Sequence, residues 1–103
     1  MSNPAPFTLD ADQAREIAAR FGTPLFVFSK AQIRENLRRF HDAFAAGWPG
    51  PVDVLPAFKA NTVLATRQIL SDEGAGADIY SPEELEGVLR TGVDPALVSV
   101  NGL

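Results

Sequence analysis

The segment Val54-Leu-Pro-Ala-Phe-Lys59-Ala-Asn61 is an apolar run that ends in a lysine, and it opens a strand–helix–strand–helix–strand pattern. Lys59 is one of only two lysines in the chain, against seven arginines. An ammonium group at the end of a buried strand costs several kcal/mol unless it is paired or neutralised. A lysine held in that way is suited to condensing with an aldehyde. The residues alone equally allow a lysine that extends its side chain into solvent.

Three apolar segments in the second half of the chain predict strands at residues 53–58, 77–80 and 97–100. The intervening sequence predicts helices from about residue 62 to 73 and from the cap Ser81 to Gly92. Since a helix joins each strand to the next, we predict a parallel sheet of the α/β class. A closed (β/α)8 barrel of the TIM type needs about 250 residues. The 103 residues therefore predict either a small open α/β protein or the N-terminal part of such a barrel, and we favour the barrel.

The residues that precede this pattern predict a helix, a short strand and a second helix. Asp10 and Ser29 are the predicted N-caps, because each is followed three residues later by glutamine. The apolar residues 25–28 predict the strand, although Pro56 makes the later strand at 53–58 irregular at its end. Gly47-Trp-Pro-Gly-Pro51 is dense in residues that interrupt helices and strands. We therefore expect an N-terminal unit at residues 1–50 and an incomplete α/β barrel at residues 51–103.

Composition excludes several classes of function. The net charge of −4 and a pI of about 4.8 argue against a nucleic-acid surface. The chain has no cysteine, which excludes disulfides and thiolate metal sites, and we predict no metal. No apolar run approaches the ~18 residues of a membrane span, and the N-terminus lacks a signal-peptide pattern. We expect a cytoplasmic protein that binds neither nucleic acid nor membranes.

Two carboxylates lie in or just after the second predicted strand. Asp78 stands inside an apolar strand and needs a partner, for which Lys59 on the preceding strand is the obvious cation. That pair would be either a structural ion pair or part of an active site. Glu84 follows Ser81 by three residues and completes a capping box, which is a sufficient structural reason for its identity. It could also project toward the carboxyl ends of the strands, where α/β barrels carry their chemistry.

Three segments occur in the order that one enzyme family shows: Phe21-Gly-Thr-Pro-Leu-Phe-Val-Phe28, Ala57-Phe-Lys59-Ala-Asn61 and Gly76-Ala-Asp78-Ile-Tyr-Ser81-Pro-Glu-Glu84-Leu. Together they resemble the N-terminal part of the fold-type III pyridoxal-phosphate decarboxylases, which act on diaminopimelate, ornithine or arginine and share an alanine-racemase-like barrel. The resemblance implies that Lys59 binds pyridoxal 5'-phosphate as an internal aldimine. It also implies that Asp78 lies beside this lysine, Glu84 near the same pocket and Asn101 at the mouth of the third strand.

The resemblance further implies a carboxy-lyase for a basic or diamino acid, with meso-diaminopimelate in lysine biosynthesis favoured, in a head-to-tail homodimer. Alternatives are an ornithine or arginine decarboxylase, an amino-acid racemase of the same fold type, or a non-catalytic α/β module. Phe58 departs from the small aliphatic residue often found before the lysine. The family's ring-stacking histidine, glycine-rich phosphate loop and substrate-side cysteine have no match here. We therefore predict that these 103 residues alone are inactive.

Overall fold

Helices dominate the computed structural model, which describes residues 5–102. The α-helices are α1 (Ala11–Phe21), α2 (Lys30–Ala45), α3 (Leu64–Asp72) and α4 (Pro82–Thr91). The strands are β1 (Ala77–Ile79) and β2 (Val98–Val100), and short 3-10 helices lie at Phe58–Ala60 and Pro95–Leu97. Within this range no helix is long and apolar enough to cross a membrane.

The two predicted N-terminal caps both form, but they differ in how they are completed. The Asp10 carboxylate accepts from the Gln13 backbone N–H, and the Gln13 side chain accepts from the Asp10 backbone, so this capping box is confirmed. Ser29 Oγ likewise accepts from the Gln32 backbone at 3.1 Å. The Gln32 side-chain oxygen, however, accepts from the Phe7 backbone at 2.9 Å. It therefore ties the N-terminal segment to α2 instead of closing a second capping box.

The helix α4 begins and ends where the sequence predicted. Ser81 Oγ accepts from the Glu84 backbone N–H at 3.2 Å, and Pro82 occupies the first helical position. Gly92 ends the helix in the left-handed conformation with φ of 70°, which glycine adopts without steric cost. These local signals fix the direction in which α4 leaves the end of β1.

The sheet is parallel, as predicted, but it contains two regular strands instead of three. β1 and β2 pair with Ala77 opposite Val98 and Ile79 opposite Val100. The segment 53–58 approaches β1 without becoming a strand: it makes one parallel bridge, Ala57 to Asp78. The backbone N–H of Asp78 also donates to the Pro56 carbonyl at 3.3 Å. Proline has no N–H to return a hydrogen bond, so the ladder stays incomplete and the prediction of a full strand at 53–58 is wrong.

The predicted strand at residues 25–28 is also wrong. These residues are irregular, and all four of their side chains are exposed, Phe26 by 91%. No described segment pairs with them. Because β propensity reflects packing against neighbouring strands, an apolar run with no partner does not become a strand. The N-terminal unit is therefore helix, irregular segment, helix.

The core is small and lies between β1 and α4. Phe58, Ala77, Ile79 and Val88 are each at most 3% exposed and pack together. Gly87 on α4 allows this packing, because a β-carbon there would lie 3.0 and 3.1 Å from two ring carbons of Phe58. The core thus fixes Phe58, the residue that precedes Lys59.

Two ion pairs join α2 to the residue that follows α3. Glu73, just beyond α3, pairs with Arg34 and Arg38 of α2, each at 2.9 Å. These contacts cross the predicted boundary at residue 50. The division of the chain into 1–50 and 51–103 stays a prediction.

Candidate functional site

Lys59 lies at the carboxyl edge of the sheet, one residue after Phe58 and two after the bridge at Ala57. The backbone enters the 3-10 helix Phe58–Ala60 there, so Phe58 turns into the core while Lys59 becomes exposed. Of the two interpretations that the residues alone allow, a shielded amine and a lysine that extends into solvent, the structure has the second. Its Nζ instead lies 4.1 Å from the centroid of the Tyr80 ring, within the range of a cation–π interaction.

Asp78 and Asn101 come together at the carboxyl edge of the sheet. Asp78 is the central residue of β1, and it accepts a hydrogen bond from the Asn101 amide nitrogen. The same nitrogen donates to Ser99 Oγ at 2.8 Å. The Asn101 hydrogen bond is the main cause that lowers the pKa of Asp78, with further contributions from Tyr80 and Ser99. Asp78 is therefore held in its ionised form.

The predicted ion pair between Lys59 and Asp78 is absent from the described part of the chain. Lys59 acts on Asp78 only through space, as the weakest of the causes that lower the pKa of that carboxyl. The carboxylate of Asp78 accepts from neutral donors on β2 and after it, while the ammonium group of Lys59 contacts the ring of Tyr80. The two charges share one edge of the sheet, but they have different direct partners.

Tyr80 is a site residue that the sequence reasoning missed. Its side chain hydrogen-bonds to Asp78, and this bond is the main cause that raises the pKa of the Tyr80 hydroxyl. The spacing of two residues from Asp78 was a usable signal, because residues i and i+2 of a strand point to the same face. Tyr80 therefore contacts both the predicted lysine and the predicted carboxylate.

Glu84 supports the site through hydrogen bonds with Tyr80 and Ser81. The residue is 7% exposed. Its Oε2 accepts from the Tyr80 backbone N–H at 2.9 Å and from Ser81 Oγ at 3.1 Å. Its Oε1 is buried without a hydrogen-bond partner in the described structure. The Ser81 cap forms, but the predicted capping box is not closed, because the Glu84 carboxylate accepts from the Tyr80 backbone N–H and not from that of Ser81. This carboxylate therefore fixes the backbone of Tyr80.

Arg67 is a second residue that the sequence reasoning missed. It is 6% exposed, and burial lowers the pKa of its guanidinium while the charge of Glu84 opposes that shift. Its Nη2 donates to the Pro56 carbonyl at 3.0 Å, and its Cζ lies 4.6 Å from the centroid of the Phe58 ring. Arg67 therefore holds the backbone before Lys59 and the side chain next to it.

An open cavity of about 550 Å³ adjoins the amine and is lined by Phe26, Phe28, Lys59 and residues 60–63. Two aromatic side chains form its apolar wall, and Lys59 supplies its cation. This volume lies within the ~300–1,000 Å³ typical of small-molecule sites. Among residues 5–102, no group of three or more His, Cys, Asp or Glu side chains could hold a metal ion.

Parallel strands joined by a helix, with a lysine at their carboxyl edge, define an α/β protein with a candidate site at the end of its sheet. The family described as "Pyridoxal-dependent decarboxylase, pyridoxal binding domain" matches residues 30–102. The chain belongs to this family, which confirms the resemblance proposed from the sequence.

Relatives and solved structures agree with this assignment. The chain is 43% identical over 89 residues to the diaminopimelate decarboxylase of Methanothermobacter thermautotrophicus, covering 86% of this chain and 21% of the relative. It is 47% identical over 87 residues to that of Pseudomonas aeruginosa, covering 84% and 20%. The crystal structure of diaminopimelate decarboxylase from M. jannaschii superposes with a TM-score of 0.81 at 37% identity, covering 86% of this chain and 21% of that one. A second structure of that enzyme, in complex with L-lysine, gives a TM-score of 0.82 at 36% identity, covering 87% and 21%.

These similarities confirm the predicted fold class, the N-terminal part of a TIM-type barrel. The chain spans about a fifth of the length of the relatives that it matches.

Proposed function

We propose that this chain supplies the cofactor-binding lysine of a pyridoxal-phosphate-dependent decarboxylase, and that this residue is Lys59. The observation that supports the proposal most directly is the position of its amine. Nζ stands at the carboxyl edge of the sheet, beside an open cavity with aromatic walls, within the segment that matches the family. Active sites of α/β barrels are built at this edge.

The residues present fit the cofactor. Lys59 offers an exposed primary amine that would hold the aldehyde group of the cofactor. Phe26 and Phe28 offer an apolar surface for a flat ring. Asp78, kept ionised by Asn101, holds negative charge at the same edge and attracts cationic groups of a ligand. When bound, pyridoxal phosphate supplies an electron sink for loss of the substrate carboxylate.

We also propose the finer assignments as properties of the whole enzyme. The relatives quoted above favour meso-diaminopimelate over ornithine or arginine as the substrate. A relative whose crystal structure contains L-lysine supports a diamino acid ligand of similar length. Asp78 and Asn101 would face the cofactor pocket, while Glu84 would act from behind Tyr80. A head-to-tail homodimer in the cytoplasm completes the proposal.

Trapping with borohydride tests the role of Lys59. The folded chain is mixed with pyridoxal phosphate and reduced, and peptide mass spectrometry then locates the added mass. We expect the adduct on Lys59 in clear excess over Lys30, the only other lysine and therefore an internal reference. A Lys59→Arg variant, which keeps the positive charge, should lose this excess. Equal modification of both lysines in the folded wild-type chain would contradict the proposal.

A further inference from the structure

The ring of Tyr80 is the group that holds the amine of Lys59. Tyr80 follows β1 directly, is 37% exposed and presents its ring face to Nζ at 4.1 Å. Attraction of an ammonium group to an aromatic ring extends to about 6 Å from the centroid, so this contact is well inside the range. A neutral amine has no net charge to be attracted in this way. The contact therefore fixes where the ammonium group stands.

The ring itself is held in place from three sides. Its hydroxyl hydrogen-bonds to Asp78, and the backbone N–H of Tyr80 donates to Glu84 Oε2 at 2.9 Å. Gly102 lies against the ring edge, since a β-carbon at Gly102 would lie 3.4 Å from Tyr80 Cδ1. An exposed tyrosine without such contacts would change rotamer freely. Here the ring is a fixed surface for the amine.

We propose that Tyr80 is a positioning residue for Lys59: its ring holds the ammonium group at the carboxyl edge of the sheet. This assignment deepens the proposed function, on which its link to the cofactor aldehyde rests. The contact with Tyr80 joins two residues of this chain. It can therefore be tested without the cofactor.

Competitive acetylation measures the contact directly. With a trace of acetic anhydride at neutral pH, peptide mass spectrometry gives the rate at Lys59 relative to Lys30. Tyr80→Leu removes the ring and should raise this ratio about two- to fivefold. That range is what ~0.5–1 kcal/mol of cation–π attraction gives at 1.4 kcal/mol per tenfold. Tyr80→Phe keeps the ring but loses the hydroxyl bond to Asp78, and it should leave the ratio near that of the wild type.

Controls separate positioning from a general structural effect. Phe44→Leu makes the matched change of an exposed aromatic residue to leucine on α2, and it should leave the ratio unchanged. Circular dichroism checks that each variant is folded, and Tyr80→Ile replaces Tyr80→Leu if the leucine variant is not. An unchanged ratio in a folded variant without the ring would overturn the proposal. Equal effects of Tyr80→Phe and Tyr80→Leu would do the same, as would loss of the fold in both aliphatic variants.

The acetylation and borohydride experiments test different claims, so either one can give a negative result while the other is positive. Borohydride trapping asks whether Lys59 takes up pyridoxal phosphate, whereas acetylation asks whether Tyr80 controls the free amine. If Lys59 traps the cofactor and its acetylation does not respond to Tyr80, the proposed function stands and the role of Tyr80 falls. If acetylation responds and trapping shows no preference for Lys59, the contact with Tyr80 stands and the cofactor assignment falls.

Discussion

Replacing Gly87 by alanine tests whether the close approach of α4 to Phe58 sets the turn that carries Lys59. The new β-carbon would lie 3.0 and 3.1 Å from two ring carbons of Phe58, and closer still to the outer carbon Cζ. Favourable carbon–carbon contacts lie at about 3.5–4.0 Å, so the ring or the helix must move by at least ~0.5 Å. Phe58 is 3% exposed and packs in the core against Ala77, Ile79 and Val88.

Two effects of opposite sign determine the result. Alanine in a helix interior is more favourable than glycine by about 0.8–1.0 kcal/mol. Overpacking a filled core costs about 1–3 kcal/mol. We therefore expect Gly87→Ala to lower the free energy of unfolding by up to about 2 kcal/mol, whereas helix propensity alone predicts a gain of about 1 kcal/mol.

Urea unfolding measures this change, and the acetylation ratio of Lys59 to Lys30 reports whether the turn has moved. Gly47→Ala is the matched control, because a β-carbon there meets nothing within 4 Å. The double variant Gly87→Ala with Phe58→Leu removes the outer ring carbon and should lose less stability than the sum of the single changes. A stability gain near 1 kcal/mol in Gly87→Ala, with an unchanged acetylation ratio, would refute the reasoning.

Asp78→Asn should flatten the acid side of the stability profile. The Asn101 hydrogen bond lowers the pKa of Asp78 below 3.8, so its contribution is present above that value and is lost as pH falls through the lower folded value. Tyr80→Phe should flatten the alkaline side, since the bond to Asp78 raises the pKa of Tyr80 above 10.0 and its contribution disappears as pH rises through the folded value. Unfolding midpoints measured as a function of pH check both predictions. A variant whose acid or alkaline side of the profile matches that of the wild type would contradict the corresponding prediction. Glu84→Ala should cost about 1–3 kcal/mol in urea unfolding, because it leaves the Tyr80 N–H without its acceptor, whereas Glu84→Gln keeps an oxygen there and should cost less. Glu86→Ala, an exposed change on the same helix, is the control, and equal losses for alanine and glutamine at position 84 would count against the argument.

The helices could be predicted from the sequence because their signals are local. Asp10 and Ser81 each cap the helix that follows them within three residues, and Gly92 ends α4 through its own backbone conformation. Strands lack this independence, since each needs a hydrogen-bonding neighbour. Residues 25–28 have no such neighbour among the described residues, and segment 53–58 has one but contains Pro56. The same apolar patterning therefore predicted one element type well and the other poorly.

The residues of the candidate site were likewise predicted only in part. Lys59 and Asp78 were identified because each is a charge within an apolar segment, which is visible in the sequence. Tyr80 was missed although its spacing from Asp78 places both side chains on one face. Arg67 could not be recognised, because an arginine within a predicted helix normally lies at the surface. Its burial results from packing against Phe58 on another element, which no local pattern encodes.

Two neighbouring residues of this chain have different roles: Phe58 stabilises the core, and Lys59 carries the reactive amine. Phe58 is buried and Lys59 is exposed, so the two neighbouring residues depend on different supports. Gly87 and Arg67 hold the ring of Phe58, and Tyr80 holds the amine of Lys59. Changes on the Phe58 side must disturb the core and the amine together, because the turn moves with the ring. Changes to the Tyr80 ring can alter the amine while the core remains intact, and this difference separates a residue that builds the fold from one that positions the reacting nitrogen.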